Sequence, residues 1–161
     1  MTNFIRISEA ASLAFHTTAF LAQHTDRLVS SREIAKTLGA SENHLSKVLQ
    51  RLAHSGIVHA TRGPNGGFRI RTPWEKIKLI EVYEAIEGPL TPGRCFLGLP
   101  VCKGNRCALG VLVHRTDEAV KKCLAGTTLA EMAKSFHPGA RRHSYDADED
   151  RYDGGTQQYR R

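Results

Sequence analysis

Ser30-Ser31-Arg32-Glu33-Ile34-Ala35-Lys36-Thr37-Leu38-Gly39 runs into Ala40-Ser41-Glu42-Asn43-His44-Leu45-Ser46-Lys47-Val48-Leu49-Gln50-Arg51-Leu52-Ala53-His54-Ser55-Gly56. After Ile57 and Val58 comes Arg62-Gly63-Pro64-Asn65-Gly66-Gly67-Phe68-Arg69-Ile70. Ser30 and Glu33 fit a capping box, in which each side chain satisfies an orphan amide at a helix start. Ile34, Ala35 and Leu38 give that helix its apolar face, and Gly39 supplies the left-handed residue that stops it. Ser41 caps a second helix. Leu45, Val48, Leu49 and Leu52 recur at i, i+3, i+4 and i+7, which makes one buried stripe. Gly56 ends it. Ile57 to Thr61 and Phe68 to Ile70 read as two short strands around a Gly63–Gly67 turn. The pattern predicts a helix–turn–helix followed by a β-wing.

The second helix turns Asn43, His44, Ser46, Lys47, Gln50 and Arg51 away from its apolar stripe, with Glu42 the acidic residue beside them. A polar, donor-rich helix face of this kind suits the major groove of duplex DNA. Ser41 at its start belongs to the same surface. Arg62, Asn65 and Gly66 at the wing turn, with Arg69 and Arg71 at its base, suit backbone or minor-groove contact. The turn is neither a dinucleotide fingerprint nor a Walker A loop, so nucleotide binding is set aside.

Charge supports this reading. The chain has 161 residues and a formal net charge of +7. Residues 27–78 carry ten basic and three acidic side chains, so the whole excess sits on the helix–turn–helix and wing. Elsewhere the two signs nearly cancel. A basic surface on a compact module is the electrostatic footprint of a nucleic-acid partner. No apolar run approaches the roughly 18 residues of a membrane span, and the N-terminus lacks a signal-peptide layout. The chain reads as cytoplasmic, where thiols stay reduced, so its four cysteines suit ligands or sensors better than a disulfide framework. No nucleophile–base constellation is recognisable, and an enzyme is not expected.

Around the central stretch, residues 5–24 read as a helix on Ile5, Ala10, Leu13, Ala14, Thr17 and Leu21, closed by Asp26 and Arg27. Residues 79–87 read as a short helix burying Leu79, Val82, Tyr83 and Ile86. Leu109, Leu112, Val113, Ala119, Val120 and Leu124 give a long helix from Ala108 to about Leu124 an apolar face wider than a small domain needs. That predicts a homodimer. Thr128 and Glu131 cap a last helix from Leu129. The expected organisation is a mainly α chain with a small β-wing. A winged helix–turn–helix spans 1–90, a cysteine-containing loop 91–107, and a dimerisation helix with a terminal helix 108–136. A tail over 137–161, almost free of aliphatic residues, is expected to be disordered.

Cys95, Cys102 and Cys107 fall in that loop with spacing C-x6-C-x4-C. Three thiolates suit an iron–sulfur cluster, with a fourth ligand from elsewhere, or zinc. The spacing alone leaves metal ligation, disulfide formation and inert thiols open. Arg94, Lys103 and Arg106 would favour thiolates in any of the reactive cases. Cys123, inside the long helix, reads as a buried small hydrophobe.

These residues carry a resemblance. Ser41 to Leu52, Gly56-Ile57-Val58, Arg62 to Phe68, Ile86-Glu87-Gly88, the Cys95–Cys107 loop and Thr128-Leu129-Ala130-Glu131-Met132 together resemble the Rrf-two family of bacterial winged-helix repressors. The likeness covers roughly residues 5–136. It implies a dimer crossed at the long helices and a near-palindromic duplex site. Asn43, Ser46 and Lys47 would then face bases, Lys47 donating to guanine and Asn43 pairing with adenine. It also implies that Cys95, Cys102 and Cys107 hold a 2Fe–2S or 4Fe–4S cluster whose loss or redox change alters DNA affinity. Two departures stand out. Some members place a histidine three residues after the third cysteine, where this chain has Gly110. His114 lies two helical turns beyond Cys107, too far for the same centre along a continuous helix. Others complete the cluster with a carboxylate on the partner's first helix, near the place of Ser12, a poor ligand. His16, one turn further, is the expected fourth ligand, with Glu9 next. A thiol switch or zinc site at the same cysteines, and an interaction adaptor that binds no DNA, are the competing readings.

Overall fold

The computed structural model describes residues 7–90 and 107–138. In chain order the elements are α1 (Glu9–Ala22), α2 (Ser31–Leu38), α3 (Glu42–His54), β1 (Val58–Thr61) and β2 (Gly67–Ile70). A single 3-10 turn (Trp74–Lys76) leads to α4 (Leu79–Glu87), followed by α5 (Ala108–Gly126) and α6 (Leu129–Ser135). The predicted class holds: a mostly helical chain carrying one two-stranded antiparallel sheet.

α1 is the hub. It starts at Glu9 rather than residue 5, because the Ser8 hydroxyl accepts the Ala11 amide and so fixes the helix start. It ends at Ala22, ahead of the expected Asp26-Arg27 closure. A stripe was expected, yet Ala11, Leu13, Ala14, Phe15 and every residue from Thr17 to Ala22 are buried. A helix buried nearly all round belongs in the middle of a core, and α2, α3, α4, α6 and β2 all pack on α1. Gln23, just past its end, donates to the carbonyls of Ala133 and Phe136 at 2.7 Å each, closing off α6.

The helix–turn–helix forms as its caps predict. Ser30 accepts from the Glu33 amide at 3.2 Å, and Gly39 takes φ +65° with its amide on Ala35. The capping box is only half made, however. Glu33 does not return to the Ser30 amide but pairs with both terminal nitrogens of Arg27, at 2.9 and 2.5 Å. A charged fork on a carboxylate outcompetes a neutral amide. It holds the Glu33 carboxyl below its usual range and raises Arg27 further. The reciprocal box is complete at α6, where Glu131 accepts from the Thr128 amide at 2.6 Å and Thr128 accepts from the Glu131 amide at 3.2 Å. These bonds lower the Glu131 carboxyl.

The wing is a hairpin with Val58 opposite Ile70 and Thr61 opposite Gly67. A third segment, not foreseen, joins it. Val29 exchanges two backbone hydrogen bonds with Phe68, at 2.9 and 2.8 Å. The wing is thereby tied to the chain just before α2. Gly67 permits the approach, since a Cβ there would stand 2.7 Å from the Val29 carbonyl oxygen. Gly67→Ala is expected to break this bridge and cost about 1–3 kcal/mol, overpacking against backbone that cannot step aside. Thermal unfolding together with amide exchange at Val29 and Phe68 would test it, and unchanged protection of both amides would contradict it.

α5 uses only part of its apolar face against its own chain. Val113, Asp117 and Leu124 point inward and Val120 is half-buried, while Leu109 and Leu112 are 58% and 55% exposed. Ala119 is exposed too. Cys123, expected to be buried, is exposed. The inward stripe runs through Val113, Asp117, Val120 and Leu124, and Cys123 lies beside that line rather than on it. The turn between α5 and α6 is fastened to the chain entering α4, with the Leu79 amide on Thr127 at 3.1 Å and the Leu129 amide on Ile77 at 2.8 Å.

Candidate nucleic-acid interface and cysteine segment

Burial of Leu45, Val48, Leu49 and Leu52 fixes the rotation of α3 and therefore which residues it shows to solvent. Asn43, Lys47 and Gln50 are exposed, and His44 and Ser46 are half-buried beside them. Ser41 accepts the His44 amide at 3.2 Å, which leaves its hydroxyl proton free to donate. Ser46 donates to the Glu42 carbonyl at 2.7 Å, so its oxygen keeps its lone pairs outward. On this face, Asn43, Lys47 and Gln50 are exposed and are not engaged by the side-chain bonds described for their neighbours.

Three polar side chains of α3 are partly engaged. His44 lies 3.6 Å from the Glu9 carboxylate of α1. Glu42 is 4.0 Å from Arg32 of α2, which softens its repulsion of an anionic ligand. Arg51, a predicted DNA contact, donates one guanidinium nitrogen to the Ile86 carbonyl of α4 at 2.9 Å. At the wing, Arg62, Pro64, Asn65 and Arg69 are exposed, and the Gly66 amide closes the turn on Gly63 at 2.9 Å. Arg71, by contrast, is paired with Glu81 at 3.3 Å. α3 leads into the wing through Ser55–Ile57 alone and packs against β1, so the two exposed surfaces belong to one rigid stretch of chain.

Among the predicted metal ligands, Cys95 and Cys102 lie outside the described residues. So does the tail from residue 139. Cys107 is half-buried and is the N-cap of α5, with its sulfur accepting the Gly110 amide at 3.4 Å. A helix N-terminus favours the thiolate. Gly110 is thus a backbone donor to the cysteine where a ligating histidine was considered. His114 is exposed on a continuous α5, as the spacing argument required. His16 is exposed on α1, with Nδ1 2.7 Å from the Ser12 carbonyl and its ring edge-on to Phe136. Anchoring one ring nitrogen in this way fixes the ring and leaves Nε2 available as a ligand. His16, Glu9, Ser12 and Leu13 line a groove of about 280 Å³ against Leu38, Gly39 and Ala40 of the helix–turn–helix. Within the described residues, no three His, Cys, Asp or Glu side chains converge as a metal site. None of their helices is long and apolar enough to cross a membrane.

A family described as "Iron-dependent Transcriptional regulator", Rrf2, matches residues 7–135. Protein aau3 of Rhizobium meliloti is 28% identical over 135 residues, covering 81% of this chain and 86% of its own length. The structure of CymR, the global cysteine regulator of B. subtilis, aligns with a TM-score of 0.69 at 26% identity, over 83% of this chain and 99% of its own. IscR of T. potens aligns at 0.66 and 22% identity, over 88% and 95%, a likeness of fold alone. The resemblance seen in the α3 and wing motifs therefore extends along the described chain, and the protein belongs to the Rrf2 family, as a transcriptional regulator rather than an enzyme.

Proposed function

We propose that this regulator is a cytoplasmic, homodimeric repressor whose affinity for duplex DNA is set by an iron–sulfur cluster held on Cys95, Cys102 and Cys107. The observation that carries the DNA part is the exposed, donor-rich face of α3 beside an exposed basic wing. Asn43 and Lys47, with Ser46 between them, would read base edges. Ser41, His44, Arg62, Asn65 and the Gly66 backbone would set the register on phosphates. Two copies related by a two-fold axis would place two α3 helices in successive major grooves.

The cluster part rests on Cys107. Its sulfur sits at a helix N-terminus and accepts a backbone N–H, the kind of support that tunes a bound cluster. The family's description as iron-dependent agrees with it. His16, with its free Nε2, is the fourth ligand offered by this chain, and Glu9 is the alternative. A bound cluster would supply a group whose oxidation state, or whose loss, changes the charge and anchoring of the segment between α4 and α5. A thiol switch at the same cysteines is the second reading, favoured by the same thiolate-stabilising position of Cys107.

Protein purified without oxygen is expected to be brown, with visible absorption and matching iron and sulfide. Cys102→Ala and Cys107→Ala are each expected to lose the colour. A wild-type protein that stays colourless after reconstitution would overturn the cluster and leave the thiol switch or zinc.

A further inference from the structure

The last turn of α4 is held from three directions. Arg51 of α3 donates to the Ile86 carbonyl at 2.9 Å. Ser8, the N-cap of α1, donates its hydroxyl to the Glu87 carboxylate. Glu84 accepts the Leu90 amide at 3.1 Å, and Leu90 itself is buried. The chain that carries Cys95 and Cys102 continues directly from Leu90. One short turn therefore joins the root of the cysteine segment to the DNA-reading helix and to the hub helix α1.

We infer that Arg51 is a positioning residue rather than a DNA contact, coupling the end of α4 to α3. This inference rests on the reading of α3 as the DNA-reading helix. Ile86 is close to the α4 C-terminus, where carbonyls have no intrahelical partner and carry partial negative charge. A guanidinium spans from the C-terminal half of α3 to that carbonyl by a charge-assisted bond. Movement or strain at residues 86–90 is then transmitted to α3 through a directional link, in addition to apolar packing. Lysine has neither the planar fork nor the same reach, so it is a poor replacement. The coupling is also reciprocal, so that whatever orders α3 must alter the α4 end in equal measure.

The test needs a readout of coupling, since spatial intermediacy alone does not show it. Backbone hydrogen exchange is measured on the full chain without DNA, in a Cys123→Ser background that removes the exposed helix thiol. Spectra of protein stripped of any bound metal are compared before and after iodoacetamide alkylation of Cys95, Cys102 and Cys107. Alkylation is expected to change α3 exchange about fivefold or more, and Arg51→Met and Arg51→Lys to abolish that response while α6 exchange stays as before. An unresponsive α3 in the parent protein, or an equal response in the Arg51 variants, overturns the inference. A second arm measures binding to a duplex selected from a random pool by the wild-type protein. Arg51→Met should weaken binding with the salt slope unchanged, whereas a slope reduced by about one per protomer marks a phosphate contact and overturns the positioning role. If the wild-type protein retains no duplex at low salt, the DNA-binding reading fails, while the exchange result still decides the coupling.

Discussion

Raising salt from about 50 to about 200 mM is expected to lower the affinity of this protein for duplex DNA by roughly a thousandfold. The expectation follows from where the charge sits and which part of it is free. Residues 27–78 hold the entire net charge of the chain. Within them, Arg27 and Arg71 are neutralised locally by Glu33 and Glu81. Lys36, Lys47, Arg62 and Arg69 are exposed. About three phosphate contacts per chain, doubled by the proposed two-fold pairing, give a log–log salt slope near −5. Fluorescence anisotropy against a duplex selected from a random pool would measure it. Lys47→Ala should weaken the selected duplex by about 1–3 kcal/mol per half-site and an unrelated duplex much less. Equal losses on both duplexes would move Lys47 from base reading to backbone contact, and a shallow slope would leave the basic surface without a nucleic-acid role.

What could be read from the sequence was local. Ser30, Gly39 and Ser41 set the boundaries of α2 and α3 through bonds made within four residues, and they form as expected. The stripe from Leu45 to Leu52 fixed the outward face of α3 for the same reason. Missed features involve distant partners or competition between them. Glu33 had two suitors, and Arg27 wins because a charged pair outweighs a neutral amide. Val29 gives no pattern signal for an extra sheet segment, since its bridge depends on how the wing folds back. Gln23 reaches α6 more than a hundred residues later, and Arg51 reaches α4 thirty-five residues later. Cys123 fell within the apolar periodicity of α5 but outside the narrow line that meets α4. Asp117 carries a signal of its own, an acidic residue in phase with Val113, Val120 and Leu124 and buried with that line.

Leu112→Glu is expected to separate the proposed homodimer and to reduce duplex affinity by about a hundredfold or more. α5 uses one line of residues against its own chain and leaves Leu109, Val111 and Leu112 exposed at its N-terminal half. Ile7, ahead of α1, is 56% exposed as well. Apolar side chains concentrated on one helix are the mark of a surface that is covered in the working protein. A second copy of the same helix is the cover that a two-fold assembly supplies, since an isologous contact pairs each patch with itself. Glutamate at position 112 would place two like charges across that axis and desolvate both, which costs far more than losing one leucine. Position 112 is already exposed in the protomer, so the fold itself should survive with little change. Sedimentation equilibrium would read the mass, and anisotropy the affinity. The loss of affinity follows because two α3 helices on one rigid dimer bind as a bidentate ligand, whereas separated protomers each meet half a site. A Leu112→Glu protein that still sediments as a dimer would place the interface elsewhere. One that is monomeric yet binds as tightly as before would mean that a single α3 and wing are sufficient for the site.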